Sequence, residues 1–166
     1  MNEEKLIRRD RLRYTKNTLS STLAIFAILF DVFFFVSIYE TDVGSYYYRI
    51  IIGASVLYNL LFMLFAFLAS EGVKQYKLSY AVLLLVLGVG QFVRIFILPL
   101  DAHGTPFTTG AGESQIVTTV MEDPQFIRVV VYLAVSGALC LAGGIVGIVK
   151  TRMLARHNAR IGAAAV

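Results

Sequence analysis

Charge and cysteine are scarce in this sequence, and the short motifs of common catalytic sites are missing. Only 16% of its 166 residues are charged, against about 25% in an ordinary soluble domain. The single cysteine, Cys140, excludes an intrachain disulfide. Its place inside an apolar run reads as a small packing residue rather than a reactive thiol. No Asn-x-Ser/Thr sequon occurs, because Asn17 is followed by Thr18 and Leu19. Both absences suit a bacterial inner membrane. There is no H-E-x-x-H, G-x-S-x-G, P-loop or C-x-x-C motif. An intramembrane aspartyl dyad needs two carboxylates at depth, and only Asp31 qualifies. The expectation is a protein that is not an enzyme and carries no cofactor or metal.

Apolar residues are what the chain has in abundance: 57% are hydrophobic and the mean hydropathy is +0.71. They gather in four runs, at 19–39, 50–69, 78–100 and 129–149, each long enough to cross about 30 Å of hydrocarbon. Lipid leaves no water to satisfy backbone amides, so each run must be a helix. The fold class is therefore all-α, a four-transmembrane-helix bundle. Spans are expected at about 18–39, 48–70, 78–100 and 127–150, with an outer loop at 101–126. A basic segment at 1–17 and a basic tail at 151–166 flank this 18–150 membrane domain. The first run is too long for a cleavable signal peptide and reads as an anchor that stays. The stretch 3–17 lacks glycine and proline, so it is expected to continue the first helix.

Charge sets the orientation. Lys5, Arg8, Arg9, Arg11, Arg13 and Lys16 precede the first run, Lys74 and Lys77 lie between the second and third, and Lys150, Arg152, Arg156 and Arg160 follow the fourth. The other side holds Glu40, Asp42, Asp101, Glu113, Glu122 and Asp123, with only Arg49 and Arg128 at its margins. Lysine and arginine beside spans stay in the cytoplasm, which places both termini there and leaves His103 and His157 on opposite faces. The net charge of +4 follows from this topology and from attraction to anionic headgroups at the cytoplasmic face; nucleic acid is not an expected partner. Tyr39, Tyr46, Tyr47 and Tyr48 outside, with Tyr76 and Tyr80 inside, stand where aromatic belts form.

Two charges interrupt the apolar runs: Asp31 in the first and Arg94 in the third. An unpaired charge at the bilayer centre costs about 2.5–3.5 kcal/mol on insertion scales. Each must therefore face a partner or something wet. Residues three or four apart share a helix face, and each run carries one small or polar stripe. These are Ser20, Ala24, Ala27 and Asp31; Ser55, Asn59, Met63, Ala66 and Ser70; Tyr80, Leu84, Gly88, Gln91 and Arg94; and Tyr132, Ser136, Cys140, Gly143 and Gly147. At 1.5 Å per residue, Asp31 lies about 18 Å and Arg94 about 24 Å from the cytoplasmic end. Gln91 and Ser136 fall at about 20 Å, and Asn59 near the midplane.

The expected intramembrane polar cluster is thus Asp31, Asn59, Gln91, Arg94 and Ser136, with Gly88, Gly143 and Gly147 at helix contacts. Two functions fit it. The first is a small transport or channel protein in which Asp31, Asn59, Gln91 and Arg94 line a path, with a pore formed between copies. In the other, the cluster is a polar lock within a non-catalytic accessory or assembly subunit of a larger membrane complex. The 101–125 loop has three glycines and two prolines, and its QIVTTVM stretch has the composition of a short strand or interfacial segment. Its Asp101, His103, Glu113, Glu122 and Asp123 read as solvated acids and a lone histidine rather than as a metal site.

Overall fold

A computed structural model describes residues 3–38, 46–104, 106–109, 116–119 and 121–164, with side chains omitted at 46–49, 107–109, 116–119 and 163–164. In chain order the elements are α1 (Glu3–Arg11), α2 (Thr18–Ile38), α3 (Tyr46–Lys74), α4 (Leu78–Ile97), α5 (Pro99–Gly104), the strands β1 (Pro106–Thr109) and β2 (Ile116–Thr119), and α6 (Asp123–Ala164). Four helical stretches are long and apolar enough to cross a membrane: α2, most of α3, α4 with α5, and α6.

Asn17 separates α1 from α2, so 3–17 does not continue the first helix as expected. The Asn17 Oδ1 accepts from the backbone N–H of Ser20 at 3.5 Å, and its own N–H donates to the Lys74 carbonyl at 3.1 Å. Asparagine favours that non-helical capping position, and the bond to the end of α3 turns the chain there.

The α3–α4 joint closes by a similar economy. Tyr76 has φ +56°. With it, Tyr76 N–H reaches the Val73 carbonyl at 3.2 Å and Lys77 N–H the Gly72 carbonyl at 3.4 Å. That pair of bonds is a Schellman termination, built on a tyrosine where glycine is usual.

The third apolar run is not one helix. Pro99 has no N–H to give to the turn before it, so α4 ends at Ile97 with Leu98 as its C-cap, and α5 restarts at Pro99. The fourth is longer than its apolar part. No proline stands between Lys150 and Ala164, so span and basic tail form one helix of 42 residues, about 63 Å long. Beyond α5, β1 and β2 pair antiparallel with Pro106 opposite Thr119 and Thr109 opposite Ile116, and QIVTTVM supplies the second strand. Tyr39, Glu40, Asp42, Gly110, Ala111, Gly112 and Glu113 lie outside the described residues, and so do the side chains of Tyr46, Tyr47, Tyr48 and Arg49.

Around the bundle the order is α2, α3, α4, α6, with the most extensive seams at α2–α6 and α4–α6. One buried apolar cluster, including Ala24, Ala27, Phe62, Ala66, Ala81 and Leu84, fills the half toward the basic end. A second, with Phe34, Ile38, Leu98, Val129 and Leu133, fills the half toward the hairpin. Large apolar side chains such as Phe26, Leu60, Leu64, Val86 and Phe96 point outward, the arrangement lipid requires and water penalises. Both described ends of the chain lie at one end of the bundle. There Arg13 Nε donates to Asn158 Oδ1 at 2.7 Å and Lys150 Nζ to Asn17 Oδ1 at 3.0 Å.

Two serines fasten α2 to α6. Ser20 Oγ donates to the Gly143 carbonyl at 2.5 Å, and Ser136 Oγ donates to the Ala27 carbonyl at 2.8 Å. Each helix gives one hydroxyl and one carbonyl, two turns apart.

Candidate functional site

The two buried charges meet across the diagonal of the bundle. Asp31 on α2 and Arg94 on α4 stand 3.4 Å apart, Nη1 to Oδ1, and both are buried. The same Asp31 oxygen accepts from Gln91 Nε2 at 2.9 Å. One turn of α4 therefore carries both donors to the carboxylate, because residues 91 and 94 share a face. α3 completes the site. Asn59 Oδ1 accepts from Arg94 Nη1, and Ser55 receives Nη2 through its carbonyl at 3.0 Å and its hydroxyl at 2.5 Å.

The guanidinium plane is also enclosed by rings. Its carbon lies 4.2 Å from the Phe34 ring centroid and 4.8 Å from that of Tyr58. Such contacts each contribute about 0.5–2 kcal/mol, more where water is excluded. Arginine thus meets a carboxylate, an amide, a carbonyl, a hydroxyl and two π faces. Its two Nη groups have four N–H bonds, and four acceptor contacts are made.

Four of the five expected cluster residues, Asp31, Asn59, Gln91 and Arg94, come together here. Ser136 is buried at the same level, but its hydroxyl is spent on the Ala27 carbonyl. A serine inside a helix commonly bonds a carbonyl, and depth alone does not reveal which one. Ser55, Tyr58 and Phe34 were outside the expected cluster. Ser55 was readable, since it lies one turn from Asn59 on the same stripe. The two rings had no polar signal to mark them.

Three buried atoms of the cluster have no protein partner: Asp31 Oδ2, Gln91 Oε1 and Asn59 Nδ2. Between α3 and α4 a cleft of about 480 Å³ opens to the outside of the bundle. Its wall is apolar except for Ser55, Tyr58 and Arg94. Gly90 makes room there, because a Cβ at that position would stand 2.5 Å from the Tyr58 hydroxyl oxygen.

Gly88, Gly143 and Gly147 all sit at helix contacts, and Gly137 and Gly144 join them. A Cβ on Gly88 would come 3.0 Å from the Gly137 carbonyl, and one on Gly137 would come 3.1 Å from the Gly88 carbonyl. Two turns away, a Cβ on Gly144 would come 2.9 Å from the Ala81 carbonyl. Gly143 and Gly147 lie against Ser20 of α2. The glycines let α4 and α6 meet backbone to backbone, as small-residue contacts do in lipid.

At the hairpin end, His103 stacks on Phe126 with centroids 4.3 Å apart and lies 3.7 Å from Asp123. Among the described residues no three potential metal ligands converge. Comparison with protein-family models, with curated proteins and with solved structures gives no match.

Proposed function

We propose that this is a multi-pass protein of a bacterial inner membrane, with both termini cytoplasmic, that acts as a non-catalytic accessory or assembly subunit of a larger membrane complex. The observation that carries this reading is the saturation of Arg94. Every Nη donor is committed to the protein's own acceptors, and two aromatic rings lie against the group. A guanidinium so engaged has little left to offer a passing ion. It instead pins α2, α3 and α4 to one another. The positive-inside distribution of lysine and arginine supports the orientation. The outward apolar side chains support the membrane location. The α3–α4 cleft is where a helix of the partner would meet the pin.

Transport by a homo-oligomer is the second reading, and the three unpartnered buried atoms around Asp31 favour it. A proton or ion path needs such vacant donors and acceptors at depth.

Purification from native membrane in mild detergent, followed by reconstitution, separates the two. A subunit should come with a larger membrane protein at fixed stoichiometry and leave liposomes as tight to protons and alkali ions as empty ones. Flux abolished by Asp31→Asn, from a chain purified as a defined homo-oligomer, would overturn the accessory reading in favour of transport.

A further inference from the structure

The α3–α4 seam is the least extensive of the four around the bundle, and it leaves the cleft of about 480 Å³. That volume falls within the roughly 300–1,000 Å³ of small-molecule sites. Its walls recur with the period of a helix: Ile51, Ala54 and Tyr58 on α3, with Val89, Val93 and Ile97 on α4. Val89, Val93 and Ile97 are exposed, so the mouth of the cleft faces lipid.

The floor is polar but largely spent. Arg94, only 5% exposed, reaches it with its charge balanced by Asp31 and its Nη donors already bonded. Ser55 Oγ accepts from that guanidinium. Tyr58 is the exception. Its ring lies against the guanidinium, with 4.8 Å from centroid to carbon, and its hydroxyl oxygen stands beside Gly90, where a Cβ would come within 2.5 Å. Among the described residues that hydroxyl has no hydrogen-bond partner.

Depth narrows what can meet it. Tyr58 follows Ile50, the outer end of its apolar run, by eight residues, about 12 Å. Gly90 follows Leu78, the inner end of its own run, by twelve residues, about 18 Å. In about 30 Å of hydrocarbon the two counts agree, and they put the hydroxyl about 12 Å below the outer boundary. No water is there to accept from it, so an occupant that brings an acceptor is favoured over one that brings none. The apolar walls select an apolar body. The balanced Asp31–Arg94 pair gives an anion no net charge to meet. Phospholipid ester carbonyls stay at the interface, well above this level.

We propose that the α3–α4 cleft binds an uncharged lipophile with a ring carbonyl, a molecule of the quinone class, whose carbonyl oxygen accepts from the Tyr58 hydroxyl. This goes beyond the accessory reading: a partner helix would then meet the pin across an occupied cleft. The chain alone suffices for the test, so a negative result there leaves the accessory reading untouched.

The full chain in neutral detergent is titrated with decylubiquinone, with decylbenzene (the same tail on a ring without carbonyls), with decanoate and with phosphatidylglycerol. Native mass spectrometry counts the molecules bound, and the shift of melting temperature ranks their affinities. Decylubiquinone should bind one to one and in preference to the other three. Tyr58→Phe removes only the hydroxyl and should weaken it about fivefold, the equivalent of one neutral hydrogen bond, while leaving decylbenzene unchanged. Val89→Trp fills the cleft from an exposed position and should weaken it about tenfold or more by steric clash. Leu64→Trp makes the same change on an exposed face of α3 outside the cleft and should alter binding by less than about twofold. Both tryptophan variants alter exposed positions, so without ligand their helix content should match the parent. Equal binding of decylubiquinone and decylbenzene, a preference for decanoate or phosphatidylglycerol, or full affinity in Tyr58→Phe would overturn the site. Equal losses for Val89→Trp and Leu64→Trp would do the same.

Discussion

Replacing Asp31 by asparagine leaves Arg94 charged in the middle of the bundle with no counter-ion. The size of the effect follows from the geometry. Two unit charges 3.4 Å apart attract by about 5 kcal/mol at an effective dielectric near 20. The introduced amide keeps an oxygen for Gln91 and Arg94, and Asn59 and Ser55 still accept from the guanidinium. Most of the loss is therefore electrostatic. Removing one partner of a buried pair typically costs about 3–5 kcal/mol, and that is the expected destabilisation for Asp31→Asn. Arg94→Gln should cost a similar amount, since it strands the carboxylate and gives up the contacts with the Phe34 and Tyr58 rings. The double variant has no charge to strand, and interhelical hydrogen bonds in lipid average only about 0.6 kcal/mol. It should be more stable than the sum of the single losses implies, by about 2 kcal/mol or more. Reversible unfolding in mixed micelles, followed by helix content, gives all four corners of the cycle. Additivity within about 0.5 kcal/mol would refute the reasoning and show that Arg94 does not depend on Asp31 as its counter-charge.

Gly88→Ala and Gly144→Ala should each destabilise by about 1–3 kcal/mol, because their Cβ atoms meet carbonyls across the α4–α6 contact. Gly162→Ala, in open space on the same α6, should instead be neutral or gain about 0.5–1 kcal/mol from helix propensity; equal melting shifts at all three positions would count against the close crossing. Tyr76→Gly relieves the positive φ at the α3–α4 joint and should raise stability by up to about 1 kcal/mol in the same unfolding assay, whereas a loss would mean that the half-buried ring outweighs its backbone strain.

The four apolar helices and the meeting of Asp31 with Arg94 were legible from one fact: charge inside an apolar run has few tolerable environments. Counting residues from the basic end then put both charges in one layer, and small-residue stripes gave the faces. Direction of hydrogen bonding was not legible. A serine such as Ser136 has many carbonyls within reach, and only the relative rotation of α2 and α6 selects Ala27. Aromatic enclosure by Phe34 and Tyr58 was equally hidden, since phenylalanine and tyrosine occur throughout these runs. The separation of α1 from α2 was signalled by Asn17, a capping residue directly before an apolar run. The extension of α6 through its basic tail was signalled too, by the lack of any proline after Lys150. Glycine contacts were half visible: Gly143 and Gly147 form an obvious pair. Gly137 and Gly144 matter only through their register with Gly88 and Ala81 on another helix.

The two serine bonds between α2 and α6 have a consequence for how the chain is made. Each joins residues more than a hundred positions apart, so neither can form until α6 has left the ribosome. Asp31 does not have to wait that long. Ser55, Asn59, Gln91 and Arg94 all precede α6 in the chain, so the carboxylate's counter-charge is made before the helix that carries Ser136 and Gly143. The order of synthesis thus makes neutralisation available before fastening. A slip of one turn, about 5.4 Å, would forfeit both serine bonds at once, so the final step is checked at two points along a single seam.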